Sequence, residues 1–252
     1  MNNTQSPHGD DFKILIQERI KNFFGYGNLE SDIWFVGMEE GFDGSMNLLY
    51  ERFKTTSDKV VCDIVEDMAT SPDHLRWFEN SAPTQKTYRP LIFIQQYLTT
   101  GKEPTLEEIR QFQISSFGRK TADHTVLELM PLPSKSIKES DWLYGDFNIE
   151  GLGSRKEYLK TYKPQQVQKL QALIQKHQPK LVLFYSRTYL PDWQQIARVP
   201  FAEVIPKKLH ITKDHDTVYA VVPHATSFGM SNEDWRAIAE RIRNALEIVV
   251  IV

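Results

Sequence analysis

The chain has 252 residues, 25% of them charged and 40% hydrophobic, with a net charge of −3. This is ordinary globular composition, and its acidic balance argues against a strongly basic, non-specific nucleic-acid binder while leaving room for a local basic groove. One cysteine, Cys62, excludes an intrachain disulfide, an iron–sulfur cluster and a cysteine-type zinc site. Its thiol is expected in the core, as free cysteines usually are. Met1 to Asp11 is polar, and no run approaches the roughly 20 apolar residues of a membrane span. The expectation is a soluble, cytoplasmic protein with residues 1–252 in a single domain.

Phe12 to Phe24 carries apolar residues at helical spacing and ends at Gly25 and Gly27. Ile33-Trp34-Phe35-Val36-Gly37 reads as a short buried strand, followed by a loop, Met38 to Gly44. Ser45 is placed to cap a helix from Met46 to about Phe53. Asp58 to Ala69 has a helical pattern, Ser71 to Thr87 reads as loop, and Tyr88 to Tyr97 reads as helix. Thr105 with Glu108 forms a capping-box pattern for a helix to Phe112. Thr125 to Leu129 is a second strand, expected to stop at Pro131 and Pro133 because proline cannot continue a central strand.

Ser134 to Gly153 reads as loop, with Trp142 and Tyr144 as either ligand-stacking or packing residues. A long helix, Arg155 to His177, is expected to break near Pro164. Leu181 to Tyr185 and Val218 to Val222 are the third and fourth strands. Ser231 and Asp234 open a last helix to about Glu247, and 248–252 reads as a packed tail or an edge strand. Buried strands alternating with helices predict a three-layer α/β/α domain with a short, mainly parallel four-stranded central sheet.

Ligands of such sheets bind at the C-terminal strand ends, which directs attention to four loops. Glu39 and Glu40, between Gly37 and Gly41, are either solvated or used. Glu128, near the end of an apolar strand, either finds a partner, points outward or takes a proton. Ser186-Arg187-Thr188 and His224-Ala225-Thr226-Ser227-Phe228-Gly229 complete the set. No P-loop, dinucleotide fingerprint, nucleophile elbow or His-Glu-x-x-His motif is present, and His210, Asp214 and His215 are too loosely grouped to expect a metal. Neither a metal nor a cofactor is expected.

In their order these loops resemble the uracil-DNA glycosylase superfamily, most nearly its single-strand-selective branch. Gly37-Met38-Glu39-Glu40-Gly41 stands where that branch carries Gly-Met-Asn-Pro-Gly. Glu128-Leu129-Met130-Pro131-Leu132 stands where a base-reading Asn precedes Cys-Pro-Leu. Val221-Val222-Pro223-His224-Ala225-Thr226-Ser227 stands where a His-Pro-Ser loop supplies a leaving-group histidine and a wedge into DNA. The likeness covers about Ile33 to Trp235 and rests on a dozen positions. Glu39, Glu40, Glu128 and Ala225 all depart from the family residues.

The resemblance implies hydrolysis of the N-glycosidic bond of a modified base in DNA, with DNA or another nucleobase-containing ligand as partner. It implies water activation by Glu39 or Glu40 and a hydrogen bond from His224 to the departing base. Gly37, Met38, Phe42, Glu128, Ser227 and Phe228 would bind substrate. Phe42 is either a stacking ring or a core residue, and Phe228 either inserts into DNA or packs on Trp235. Lys135, Lys138, Arg187, Lys207 and Lys208 are the candidate phosphate contacts. An ionised Glu128 would only accept hydrogen bonds and so disfavour uracil. The alternatives are the same fold binding a nucleoside, nucleotide or RNA without cleaving it, and a catalytically inactive interaction protein.

Overall fold

A computed structural model describes residues 9–70 and 72–247, so the 248–252 tail lies outside the described residues. Eight strands join one sheet: β1 (Gly25–Gly27), β2 (Ile33–Gly41), β3 (Val61–Cys62), β4 (His124–Ser134), β5 (Leu181–Tyr185), β6 (Ala202–Ile205), β7 (Leu209–Asp214) and β8 (Thr217–Val222). Their order is β3-β1-β4-β2-β5-β8-β7-β6. The expected four-stranded sheet is thus corrected to eight. The four strands legible in the sequence form its contiguous parallel centre, β4-β2-β5-β8. The others escape periodicity for a physical reason: β1 and β3 are three and two residues long, and β6 is largely exposed.

Strand alternation builds two cores. Trp34, Val36, Leu127, Leu129, Val182 and Phe184 face one side, and Phe35, Val126, Leu181, Leu183 and Tyr185 face the other. Helices α1 (Gly9–Asn22), α2 (Met46–Thr56), α7 (Arg155–His177) and α8 (Leu190–Ala197) cover the first side. Helices α3 (Ile64–Met68), α5 (Tyr88–Thr100), α6 (Leu106–Ser115) and α9 (Asn232–Glu247) cover the second, beside a short α4 (Pro72–Leu75). The Thr105–Glu108 capping box and the Ser45 cap both form. Among the described residues no helix is long and apolar enough to cross a membrane.

Three local expectations are corrected. Asp58 to Ala69 is not one helix: β3 pairs with β1, and the Asp63 carboxylate then caps α3 by accepting from the Val65 amide at 3.0 Å. Helix α7 runs unbroken through Pro164. Strand β4 continues past Pro131 and Pro133 to Ser134. It can do so because β1 meets β4 only from Thr125 to Leu127, which leaves the far end of β4 without a strand on that side. The two proline carbonyls there accept from Arg19 Nε (3.0 Å) and the Tyr144 hydroxyl (2.9 Å).

That end of the sheet holds a buried charge cluster. Arg52 Nη2 donates to Asp67 Oδ2 at 2.6 Å, to Glu40 Oε1 at 2.9 Å and to the Tyr26 oxygen at 2.8 Å. Tyr26 in turn donates to Asp67 Oδ2 at 2.6 Å. Arg19 approaches Glu40 at 3.8 Å and lies over the Phe23 ring at 3.7 Å. Burial raises the Asp67 carboxyl, but the Arg52 charge and hydrogen bonds outweigh it and hold the group below its ordinary range. The Arg52 guanidinium is correspondingly held above its own ordinary range, because its anionic neighbours outweigh the burial that lowers it. Removing one partner of such a buried set strands the other charges. Arg52→Met should therefore cost about 3–5 kcal/mol, read as a lower midpoint in urea denaturation. A loss under about 1 kcal/mol would mean the cluster behaves like a surface pair.

Candidate functional site

The order β4-β2-β5 puts the second central strand on one side of the first and the third on the other. The chain leaves β2 toward β3 and β4 on one side and leaves β5 toward β6, β7 and β8 on the other, so the crevice between the C-terminal ends of β2 and β5 is the natural ligand position. β2 does not stop at Gly37 as the sequence suggested. It runs to Gly41 with an irregularity between Glu39 and Gly41.

Gly37 is the closest point of this crevice. A methyl group added there would overlap Glu128 Oε2 and lie 2.5 Å from the Tyr185 hydroxyl and 2.6 Å from its ring carbon Cζ. Glycine is needed for space, since Gly37 is not in a left-handed conformation. Across it, Tyr185 and Glu128 Oε1 share a 2.5 Å hydrogen bond. Glu128 Oε2 is sealed from solvent without a partner, although the residue as a whole keeps partial exposure. Burial pushes the Glu128 carboxyl up to about 8, the Tyr185 hydrogen bond opposes this, and the charges of Glu40 and Glu39 add to it. The carboxyl is therefore mostly protonated at neutral pH. Of the outcomes the sequence left open, Glu128 thus finds a partner in Tyr185 and is pushed toward the protonated form, which donates as well as accepts.

Glu39 and Glu40 diverge. Glu40 is taken by Arg52 through both oxygens, at 2.9 and 3.0 Å. Glu39 Oε1 accepts from Arg155 Nη2 at 2.7 Å and Nε at 3.3 Å, while its Oε2 is buried without a partner. Burial raises the Glu39 carboxyl and outweighs Arg155. Neither is the solvated loop charge that the sequence left open.

His224 follows β8 and reaches the same crevice, with its ring centroid 6.3 Å from that of Tyr185. Its Nδ1 accepts from the Thr226 amide at 3.3 Å. A backbone N–H can only donate, so a neutral ring must carry its proton on Nε2. The ring is open at the rim, yet desolvation on its packed side lowers its pKa, which keeps it neutral near pH 7. Ser227 closes the turn, donating its amide to the His224 carbonyl at 2.8 Å. Phe228 is fully exposed, which corrects the packed alternative against Trp235. Beside it lies a cleft of about 560 Å³ lined by Arg187, Lys207, Lys208, His224 and Phe228.

Other expected residues play other parts. Phe42 and Met38 are buried in the first core, so Phe42 is not presented for stacking. Trp142 and Tyr144 pack on each other at 5.0 Å, with Trp142 donating to the Leu152 carbonyl at 2.7 Å. His210 and His215 lie next to Glu203 and Asp214, and among the described residues no group of three such side chains could hold a metal.

Sequence reading missed Tyr185, Arg52 and Arg155 as site residues. Arg52 did leave a signal: Leu49, Arg52, Phe53 and Thr56 share one buried helical stripe. No protein-family model matches the chain, and no curated protein matches it.

Two outcomes test this geometry. Folded Glu128 keeps a proton that the unfolded chain, with its ordinary carboxyl near 4.5, releases. Stability from this group thus falls as pH rises from about 4.5 toward 8. Glu128→Gln should remove that slope, gaining on the order of 2–4 kcal/mol relative to the parent at pH 8. Thermal melts from pH 5 to 8 read it, and parallel curves for the two proteins would disprove the neutral carboxyl. Gly37→Ala should cost about 1–3 kcal/mol by overpacking, and a melting temperature within error of the parent would show that the crevice is not tight there.

Proposed function

We propose that this chain is a divergent glycosylase of the uracil-DNA glycosylase type, hydrolysing the N-glycosidic bond of an altered base in nucleic acid. The observation that carries this reading is the meeting of Glu128 and Tyr185 over Gly37 at the switch point of the sheet, with His224 beside Tyr185. A base entering the crevice meets a carboxyl able to donate or accept. His224 Nε2–H, on a neutral and exposed ring, stabilises negative charge developing on that base. Glu39 is the better water-orienting group, because Oε2 is unoccupied and burial makes the carboxylate more basic. Glu40 serves the buried charge cluster.

Arg187, Lys207 and Lys208 supply phosphate contacts along the adjoining cleft, and Phe228 supplies an exposed ring beside them. Lys208 shares its charge with Asp234 at 2.5 Å, so Lys207 is the freer cation. The single thiol, Cys62, is buried with its pKa raised by desolvation, which suits a reducing, cytoplasmic setting.

One observation favours a second reading. Both carboxylates that follow Gly37 carry an arginine, Glu39 through Arg155 and Glu40 through Arg52. A pocket so neutralised suits a nucleoside, nucleotide or RNA ligand that is held and not cleaved.

Oligonucleotides carrying one altered base each (uracil, hypoxanthine, xanthine, oxidised and alkylated bases) separate the two. Strand breaks after alkali, at one base and reduced roughly 100-fold in His224→Ala, are expected. Binding without any break moves the assignment to the second reading. For the cleft, Lys207→Ala should weaken oligonucleotide binding evenly across sequences and reduce the salt slope by about one. An unchanged slope in fluorescence anisotropy would remove Lys207 from the interface.

A further inference from the structure

We infer that Glu128 is the general acid of the site, delivering the proton of Oε2 to a ring nitrogen of the departing base, and that the substrate base is a purine. This rests on the glycosylase reading above and adds the class of leaving group to it. Tyr185 is a positioning residue: it holds Oε1 at 2.5 Å and leaves Oε2 without a hydrogen-bond partner, buried against the Gly37 backbone at the crevice.

Of the groups facing Glu128, the carboxylates favour its proton-bearing form and only the Tyr185 hydrogen bond opposes it. From β2 come the negative charges of Glu39 and Glu40. Tyr185 comes from β5, its hydroxyl pushed well up by burial and by Glu128 itself. From α5 comes Tyr88, whose phenol is likewise raised by burial. The loop after β8 contributes the neutral ring of His224, against Tyr185. Among the described residues no lysine or arginine forms an ion pair with Glu128. A carboxyl in that setting is a proton donor near neutral pH, as general acids of glycosidic bonds must be.

The chemistry then selects the base. Uracil spreads negative charge over two carbonyl groups and departs as an anion, for which a hydrogen bond from His224 suffices. A purine departs readily only when a ring nitrogen is protonated. In the step proposed, the Oε2–H proton passes to that nitrogen as the C1′–N bond breaks, and the bonding pair goes to the base. The oxygen of water bonds to C1′, and its proton passes to the Glu39 carboxylate. Glu128 is left as a carboxylate accepting from the Tyr185 hydroxyl, and solvent exchange returns the proton from Glu39 to Glu128. Atoms and charge balance with water as the only co-reactant.

The experiment is single-turnover cleavage of matched oligonucleotides carrying hypoxanthine, an alkylated adenine or uracil. The parent, Glu128→Gln and Tyr185→Phe would be compared between pH 5 and 9. Glu128→Gln is close in shape, and its melting curve reports folding separately. The parent should cleave a purine fastest, with a rate that falls as pH rises through the Glu128 pKa of about 8. Glu128→Gln should lower purine cleavage by roughly 100-fold or more, lose that basic limb, and lower uracil cleavage by less than about 10-fold. Tyr185→Phe should keep the limb but move it, which a purely structural role would not do. Equal losses on all bases, or a parent that prefers uracil, would overturn the inference while leaving a glycosylase. No cleavage of any base by the parent would overturn the glycosylase reading and this inference with it.

Discussion

Arg52 is the constraint on which the described end of the sheet depends. One guanidinium nitrogen reaches Asp67, Glu40 and Tyr26, and so ties α2 to α3, β2 and β1. Two arginines face two carboxylates there, so the cluster is electrically balanced while it stays dry. Such sets add little net stability over an apolar core of the same shape, but losing one member leaves the others buried and uncompensated. The extended course of β2 beyond Gly37 follows from it, because Glu40 must reach Arg52. Glu39 then reaches the opposite anchor, Arg155, at the start of α7.

Glu128 contrasts with these carboxylates. It sits at the same end of the sheet, but its hydrogen-bond partner is a phenol and not a guanidinium. The outcome differs accordingly. Arg52 keeps Asp67 ionised at the cost of a buried charge, whereas Glu128 escapes that cost by retaining its proton. Pairs of titratable groups pushed apart by their surroundings are the usual basis of an acid and a base in one site. Here the negative charges of Glu40 and Glu39 lie within electrostatic reach of Glu128 and favour its neutral form.

The chain's acidic balance and its cationic cleft are compatible because the charges are segregated. Arg187, Lys207 and Lys208 come from the β5–α8 and β6–β7 connections, outside the four central strands. The β6–β7 hairpin extends the sheet on the β8 side and carries two of the three cations to the rim of the crevice. Phe228, fully exposed among them, is the kind of aromatic that a folded protein leaves in water only where packing does not claim it.

Sequence by itself determined the four central strands, the caps at Ser45, Thr105 and Ser231, and the loop after β8. Each depends on local periodicity or on a side chain reaching its own backbone. It also singled out Glu128 as costly, since a carboxyl in an apolar strand needs an explanation wherever the chain goes. Tertiary structure alone decided what that explanation is. Tyr185 lies 57 residues from Glu128 in sequence, and Arg155 lies 116 from Glu39. Such pairings are set by which strands become neighbours, not by local pattern. The same holds for β4 passing two prolines, for Phe42 turning into the core, and for the proton on Glu128. Each depends on what covers a backbone or a side chain from a distant part of the chain, and burial of that kind has no period to read.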